Sequence, residues 1–164
     1  MTLKIFEANK GFPDTKNYFC KNLFSFNIEN NLIYLNIEYM NQYIINPVSF
    51  ERINKFKKLK YLYIKFFDFE NIFVITLNTL KLLSINACKN VCLDSKIPYE
   101  ILEVLEYNNT NNTIEYIFKN PNIYTFKNLI ILNLSDNQLS KFDIDELGKV
   151  DCQKLEVLNL VIII

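Results

Sequence analysis

Residues 128–139 read NLIILNLSDNQL, in which Leu129, Leu132, Leu134, Asn137 and Leu139 follow the pattern L-x-x-L-x-L-x-x-N-x-L. Leu132 and Leu134 alternate with Asn133 and Ser135, the period of two that a strand with one buried face requires. The same spacing recurs along the chain. KLEVLNL places Leu155, Leu158 and Leu160, and ILEVLEYNNT places Leu102, Leu105, Tyr107 and Thr110. LKLLSINAC places Leu80, Leu83, Ile85 and Cys88, LKYLYI places Leu59, Leu62 and Ile64, and LIYLNI places Leu32, Leu35 and Ile37. The units start at 32, 59, 80, 102, 129 and 155, separated by 27, 21, 22, 27 and 26 residues. Five of them carry an apolar residue three positions before the first leucine: Phe56, Leu77, Tyr99, Phe126 and Cys152. Strands that follow one another at this interval have room for the crossover that parallel pairing needs.

Six units in phase, all within a period of about 20–29 residues, resemble the leucine-rich repeat family over residues 32–164. The resemblance implies an α/β solenoid, a horseshoe with a parallel concave sheet and short helical, 3-10 or extended convex segments. It also implies a ladder in which the motif asparagine bonds backbone groups of the turn after the strand. That position holds Met40, Phe67, Cys88, Thr110, Asn137 and Ile163. Met40 and Phe67 lack the hydrogen-bonding groups for a ladder, so the first two units are expected to turn less regularly.

The domain organisation expected is an N-terminal cap or degenerate repeat over 1–31, then the solenoid over 32–164, lacking a C-terminal cap. Phe24, Phe26 and Ile28 alternate and Glu29 to Asn31 supply turn chemistry, a hairpin pattern leading into LIYLNI. The other reading of the same region is a degenerate repeat at Leu3, Phe6 and Ala8. In residues 46–59, Asn46 is a candidate N-cap, Pro47 takes the first helical position, and Phe50, Ile53 and Phe56 fall at helical spacing. One turn of helix is expected there. The shorter units leave space only for extended or 3-10 structure between strands. LEVLNLVIII, residues 155–164, has no polar side chain after Asn159. Its apolar edge is expected to be covered by self-association or by further repeats.

Composition removes whole classes of chemistry. Of 164 residues only 2 are Gly and none is His, so Gly-rich phosphate loops, Ser-His-acid and Cys-His pairs and His-containing metal sites are excluded. The 18 basic and 18 acidic side chains cancel, which gives nucleic acid no electrostatic purchase. The densest basic cluster, Lys55, Lys57, Lys58 and Lys60, reads as a solvated edge. MTLKIFEANKGF holds no apolar run of about 7–15 residues, and nothing reaches the roughly 18 of a membrane span. A cytoplasmic protein without membrane contact is expected, its Cys20, Cys88, Cys92 and Cys152 reduced. Cys88 and Cys92 are spaced C-x3-C with no second ligand pair, so no metal is expected. The acids Asp143, Asp145 and Glu146 in KFDIDEL read as a solvated loop, without the ligand spacing of a calcium site. No catalytic residue and no cofactor are expected.

Function then falls to the side chains between the motif leucines. The candidate partner-binding residues are Tyr34, Asn36 and Glu38; Tyr61, Tyr63 and Lys65; Ser84 and Asn86; Glu106 and Asn108; Asn133 and Ser135. Leu82, Val104, Ile131 and Val157 continue the column begun by Tyr34 and Tyr61. Three tyrosines at one end suit a protein interface, where Tyr is enriched at hot spots. Against this stands simple abundance, since the chain holds 10 Tyr. The expected function is a non-enzymatic scaffold or adaptor binding another protein through the concave sheet. The short units resemble the repeat subclass that includes phosphatase regulators, which makes a phosphatase one client the resemblance implies. The alternatives are a substrate-recognition or sensing fragment of a larger multidomain protein, and a surface or secreted ligand-binding protein.

Overall fold

A computed structural model describes residues 3–5, 33–38, 44–45, 51–94, 96–110 and 126–160. Seven of the described strands make one parallel sheet: β1 (Leu3–Ile5), β2 (Tyr34–Glu38), β4 (Tyr61–Lys65), β6 (Leu82–Asn86), β8 (Val104–Asn108), β9 (Ile131–Asn133) and β10 (Val157–Asn159), in that spatial order. Three more, β3 (Ile44–Ile45), β5 (Asp68–Ile75) and β7 (Lys89–Leu93), make a second parallel sheet in the order β3-β5-β7. Helix is scarce: a 3-10 turn at Glu51–Lys55 and α1 at Lys141–Leu147.

Register in the large sheet follows the leucines. Leu35, Leu62, Leu83, Leu105, Leu132 and Leu158 stand side by side, one per strand, and Ile37, Ile64, Ile85 and Tyr107 form the next column. A slip of one residue would turn each column to the outer face, so burial of these side chains fixes the pairing. Five of these strands, β4, β6, β8, β9 and β10, start with the same joint. The carbonyl of Ile33 accepts from Lys60 and Tyr61 N–H, that of Lys60 from Lys81 and Leu82, and that of Lys81 from Glu103 and Val104. The carbonyls of Glu103 and Ile130 repeat the arrangement with Ile130 and Ile131, then Glu156 and Val157.

The chain leaves β4, β6, β8 and β9 through a left-handed corner. Phe66, Ala87, Asn109 and Asp136 have φ of 62°, 50°, 51° and 57°, and each stands five residues after the first residue of its strand. Successive corners are tied by Phe66 N–H to Asn86 O, Ala87 N–H to Asn108 O and Asn109 N–H to Ser135 O, at 3.0 to 3.1 Å. An L residue in this region carries about 1–2 kcal/mol of strain. Ala87→Gly is therefore expected to raise stability by about 0.5–1 kcal/mol after the added entropy of the unfolded chain. Urea unfolding with an unchanged m-value would measure it.

The residue after each corner points into the core, and there the units differ. Asn137 Nδ2 donates to the carbonyls of Tyr107 and Leu134, while its Oδ1 accepts from Thr110 N–H at 3.0 Å and Thr110 Oγ1 at 2.7 Å. Cys88 Sγ lies 3.4 Å from Ile64 O and 3.2 Å from Asn86 O. Phe67 is buried and stacks on Phe69 with ring centroids 5.8 Å apart. The less regular turn expected at Phe67 does not occur: its corner keeps the φ of the others, with aromatic packing in place of side-chain hydrogen bonds. Met40 and Ile163 lie outside the described residues.

Burial pushes the Cys88 thiol up to about 12 from 9.0, against backbone hydrogen bonds that lower it. A raised thiol pKa favours the protonated folded state, so its contribution is complete below pH 9 and is lost as pH rises toward 12. The melting temperature is expected to fall over that window, and to fall less in Cys88→Ala. Cys152, pushed up to about 11 chiefly by burial, adds to the slope.

One apolar core fills the space between the sheets. It joins the leucine columns to Phe69, Phe73, Ile75, Val91 and Leu93 of the second sheet and to Phe56, Leu77, Tyr99 and Phe126. Fully burying side chains of this size contributes roughly 1.5–3 kcal/mol each. Two tyrosine hydroxyls in this core have partners: that of Tyr99 donates to Ile75 O at 2.6 Å and accepts from Asp94 N–H at 3.1 Å, and that of Tyr107 donates to Val91 O.

The segments between strands partly match expectation. The turn over 51–55 is 3-10, with Ile53 and Phe56 buried, whereas Asn46, Pro47 and Phe50 lie outside the described residues. β5 and β7 occupy the short units as extended chain, and their pairing into a sheet is a feature the sequence reading lacked. β5 is bulged: five steps from Asp68 to Phe73 face two from Lys89 to Val91, and Asn90 Nδ2 bonds Phe69 O at 2.6 Å across the irregularity.

One expectation is corrected. KFDIDEL is a helix and not a loop: Ser140 Oγ accepts from Asp143 N–H, and Asp143 Oδ2 accepts from Ser140 N–H at 2.8 Å, a reciprocal capping box. β2, expected as the second strand of a hairpin, is flanked in the large sheet by β1 and β4. Residues 24–32 themselves lie outside the described residues. Leu3 and Ile5 are in register with Leu35 and Ile37, three positions away from an alignment on Leu3, Phe6 and Ala8.

Candidate functional site

The outward face of the large sheet carries the candidate residues in three columns, set by the burial of alternate positions in β2, β4, β8 and β9 and carried across the sheet by register. Tyr34 is beside Tyr61, and Leu82, Val104, Ile131 and Val157 continue that column. Asn36, Tyr63, Ser84, Glu106, Asn133 and Asn159 form the second, and Glu38, Lys65, Asn86 and Asn108 the third. Ser135 follows β9, where its backbone N–H donates to Asn133 Oδ1 at 3.1 Å, so the Asn133 side chain serves the turn.

The tyrosines come together. The Tyr34 and Tyr63 rings are 5.4 Å apart and tilted by 41°, and Tyr61, 36% exposed, completes the cluster. Burial, then the neighbouring Tyr34, Glu106 and Tyr61, raise the Tyr63 phenol above its ordinary value. Ser84 departs from expectation. It is only 4% exposed, a small residue standing between the larger Tyr63 and Glu106 of the adjacent strands. Two amide oxygens on this face, Asn36 Oδ1 and Asn108 Oδ1, are buried without a hydrogen-bond partner.

Ion pairs at the strand starts went unread in the sequence. Lys81 Nζ lies 2.6 Å from Glu103 Oε1, and Lys127 Nζ 2.7 Å from Glu100 Oε1. Aligning the residue after each first leucine brings Lys81 against Glu103, a signal available once the units are superposed. The Glu103 hydrogen bond and charge hold the Lys81 ammonium above its ordinary pKa. On the second sheet, a cavity of about 290 Å³ is lined by Glu51, Asn54, Ile72, Phe73, Val74 and Thr76. Asn54 ties it to β5, donating to Val74 O at 2.9 Å and accepting from Thr76 N–H at 3.0 Å.

Asp143 is consumed by the cap of α1, and Glu146 pairs with Lys149, so the acids of 141–147 do not converge on one point. Among the described residues no group of three or more Cys, Asp or Glu is placed to hold a metal ion, and no helix is long and apolar enough to cross a membrane. At the far edge β10 carries Val157 and Leu158 at 48% and 49% exposure, and residues 161–164 lie outside the described residues. Compared with models of protein families, with curated proteins and with solved structures, the chain matches none.

Proposed function

We propose that the chain is a leucine-rich-repeat solenoid acting as a non-enzymatic adaptor, which binds a segment of another protein along the outward face of its large sheet. Repeat spacing, the shared-carbonyl joint at five strands and the buried bonds of Asn137 support the repeat reading. The observation that carries the binding reading is the cluster of Tyr34, Tyr61 and Tyr63, three amphipathic rings gathered on a surface whose next columns are apolar and amide-bearing. Rings of this kind, partly desolvated by one another, are what interface hot spots are made of. Capture from the source cell, read by mass spectrometry, is expected to return a protein that the Tyr34→Ala/Tyr61→Ala/Tyr63→Ala variant no longer retains while its circular dichroism is unchanged. Retention by the variant at full strength sinks the proposal.

A second reading concerns the β10 edge. Leu158 occupies the column that is buried in each preceding strand from Leu35 to Leu132, yet it is half-exposed, which favours cover by another copy or by further repeats. A sedimentation series showing monomer at every concentration argues against the second copy.

A further inference from the structure

Resting on the reading that the outward face binds a protein segment, the middle column holds one feature that specifies what such a segment must present. Tyr63 and Glu106 stand two strands apart, about 10 Å at the usual spacing, with Ser84 between them. Ser84 is 4% exposed and its side chain is small, so the ring and the carboxylate are the prominent groups of this stretch of the column. Glu103, three residues before Glu106, is paired with Lys81, but among the described residues no lysine or arginine pairs with Glu106. Lys65, the cation on this face, stands in the third column directly opposite Glu38. The charges of the three outward columns are thus Glu38 against Lys65, with Glu106 left over. Asn108, next outward on the same strand, adds an amide oxygen that lacks a donor.

We propose that Tyr63 and Glu106 receive the guanidinium of an arginine from the bound segment, its plane on the tyrosine ring and its N–H fork on the carboxylate. Arginine fits where lysine does not. Its planar group stacks on an aromatic face while pairing a carboxylate through two parallel bonds, and it is shed by water more readily than an ammonium.

The test is selection of a phage-displayed random-peptide library on the immobilised full chain. Binders are expected to share an arginine at a fixed distance from apolar residues. Replacing that arginine with citrulline, or Glu106 with Gln, should each weaken a selected peptide at least tenfold. Glu106→Lys should select Asp or Glu at the same position. Binders that lack a basic residue, or that ignore Glu106→Gln, yet are lost in Tyr34→Ala/Tyr61→Ala, overturn the arginine site and leave the binding face standing. A selection that yields no peptide sensitive to Tyr34→Ala/Tyr61→Ala overturns both.

Discussion

Asn137→Ala should lower the unfolding free energy by about 3–4 kcal/mol, among the largest single losses available in this chain. The side chain is 2% exposed and makes four hydrogen bonds, two donated to carbonyls and two accepted from Thr110. Removing one partner leaves each of the others buried without a replacement, at about 1 kcal/mol apiece. Thr110→Val removes only the hydroxyl bond and leaves the N–H contact, so about 1 kcal/mol is expected. Urea midpoints at equal m-value would compare the two. A loss under 1 kcal/mol for Asn137→Ala would mean that water reaches the carbonyls of Tyr107 and Leu134.

The second large effect is a contrast within one column. Leu105 and Leu158 occupy equivalent positions on β8 and β10, at 0% and 49% exposure. Leu105→Ala opens a cavity between two flanking strands and should cost about 3 kcal/mol. Leu158→Ala removes a side chain that is already half in water, and about 1 kcal/mol or less is expected. Equal losses would show that the edge strand is covered in solution, which a dilution series could then resolve.

How much of this was legible depended on which physical rule set each feature. The columns were readable because strand alternation has a strict period of two, so locating Leu132 and Leu134 also assigns Asn133 to the outer face. The second sheet was not readable in that way. Its bulge between Asp68 and Phe73 breaks the alternation, and Glu70, Asn71 and Ile72 face out in succession. α1 was missed because Asp143 was weighed as a charge, when Ser140 three residues earlier makes it half of a capping box. The burial of Ser84 is invisible in its own identity; it depends on a small side chain standing between the larger Tyr63 and Glu106 of the adjacent strands. Phe67 erred in the other direction. A side chain that cannot hydrogen-bond the turn still holds it, because a stacked ring fills the same space.

The shared-carbonyl joints carry a consequence for how the molecule opens. Strand order in the large sheet follows chain order, so each strand is hydrogen-bonded only to the one before and the one after. Such a chain of neighbours behaves as a zipper, and its ends fray at less free energy than its middle. The Val157 amide, held by Ile130 O at the half-exposed edge, should exchange its hydrogen with solvent much faster than Leu82, whose equivalent bond to Lys60 O lies three strands inside. A partner that spans β2 to β8 would then act as a splint, slowing exchange across every joint it bridges and leaving the β10 end to breathe.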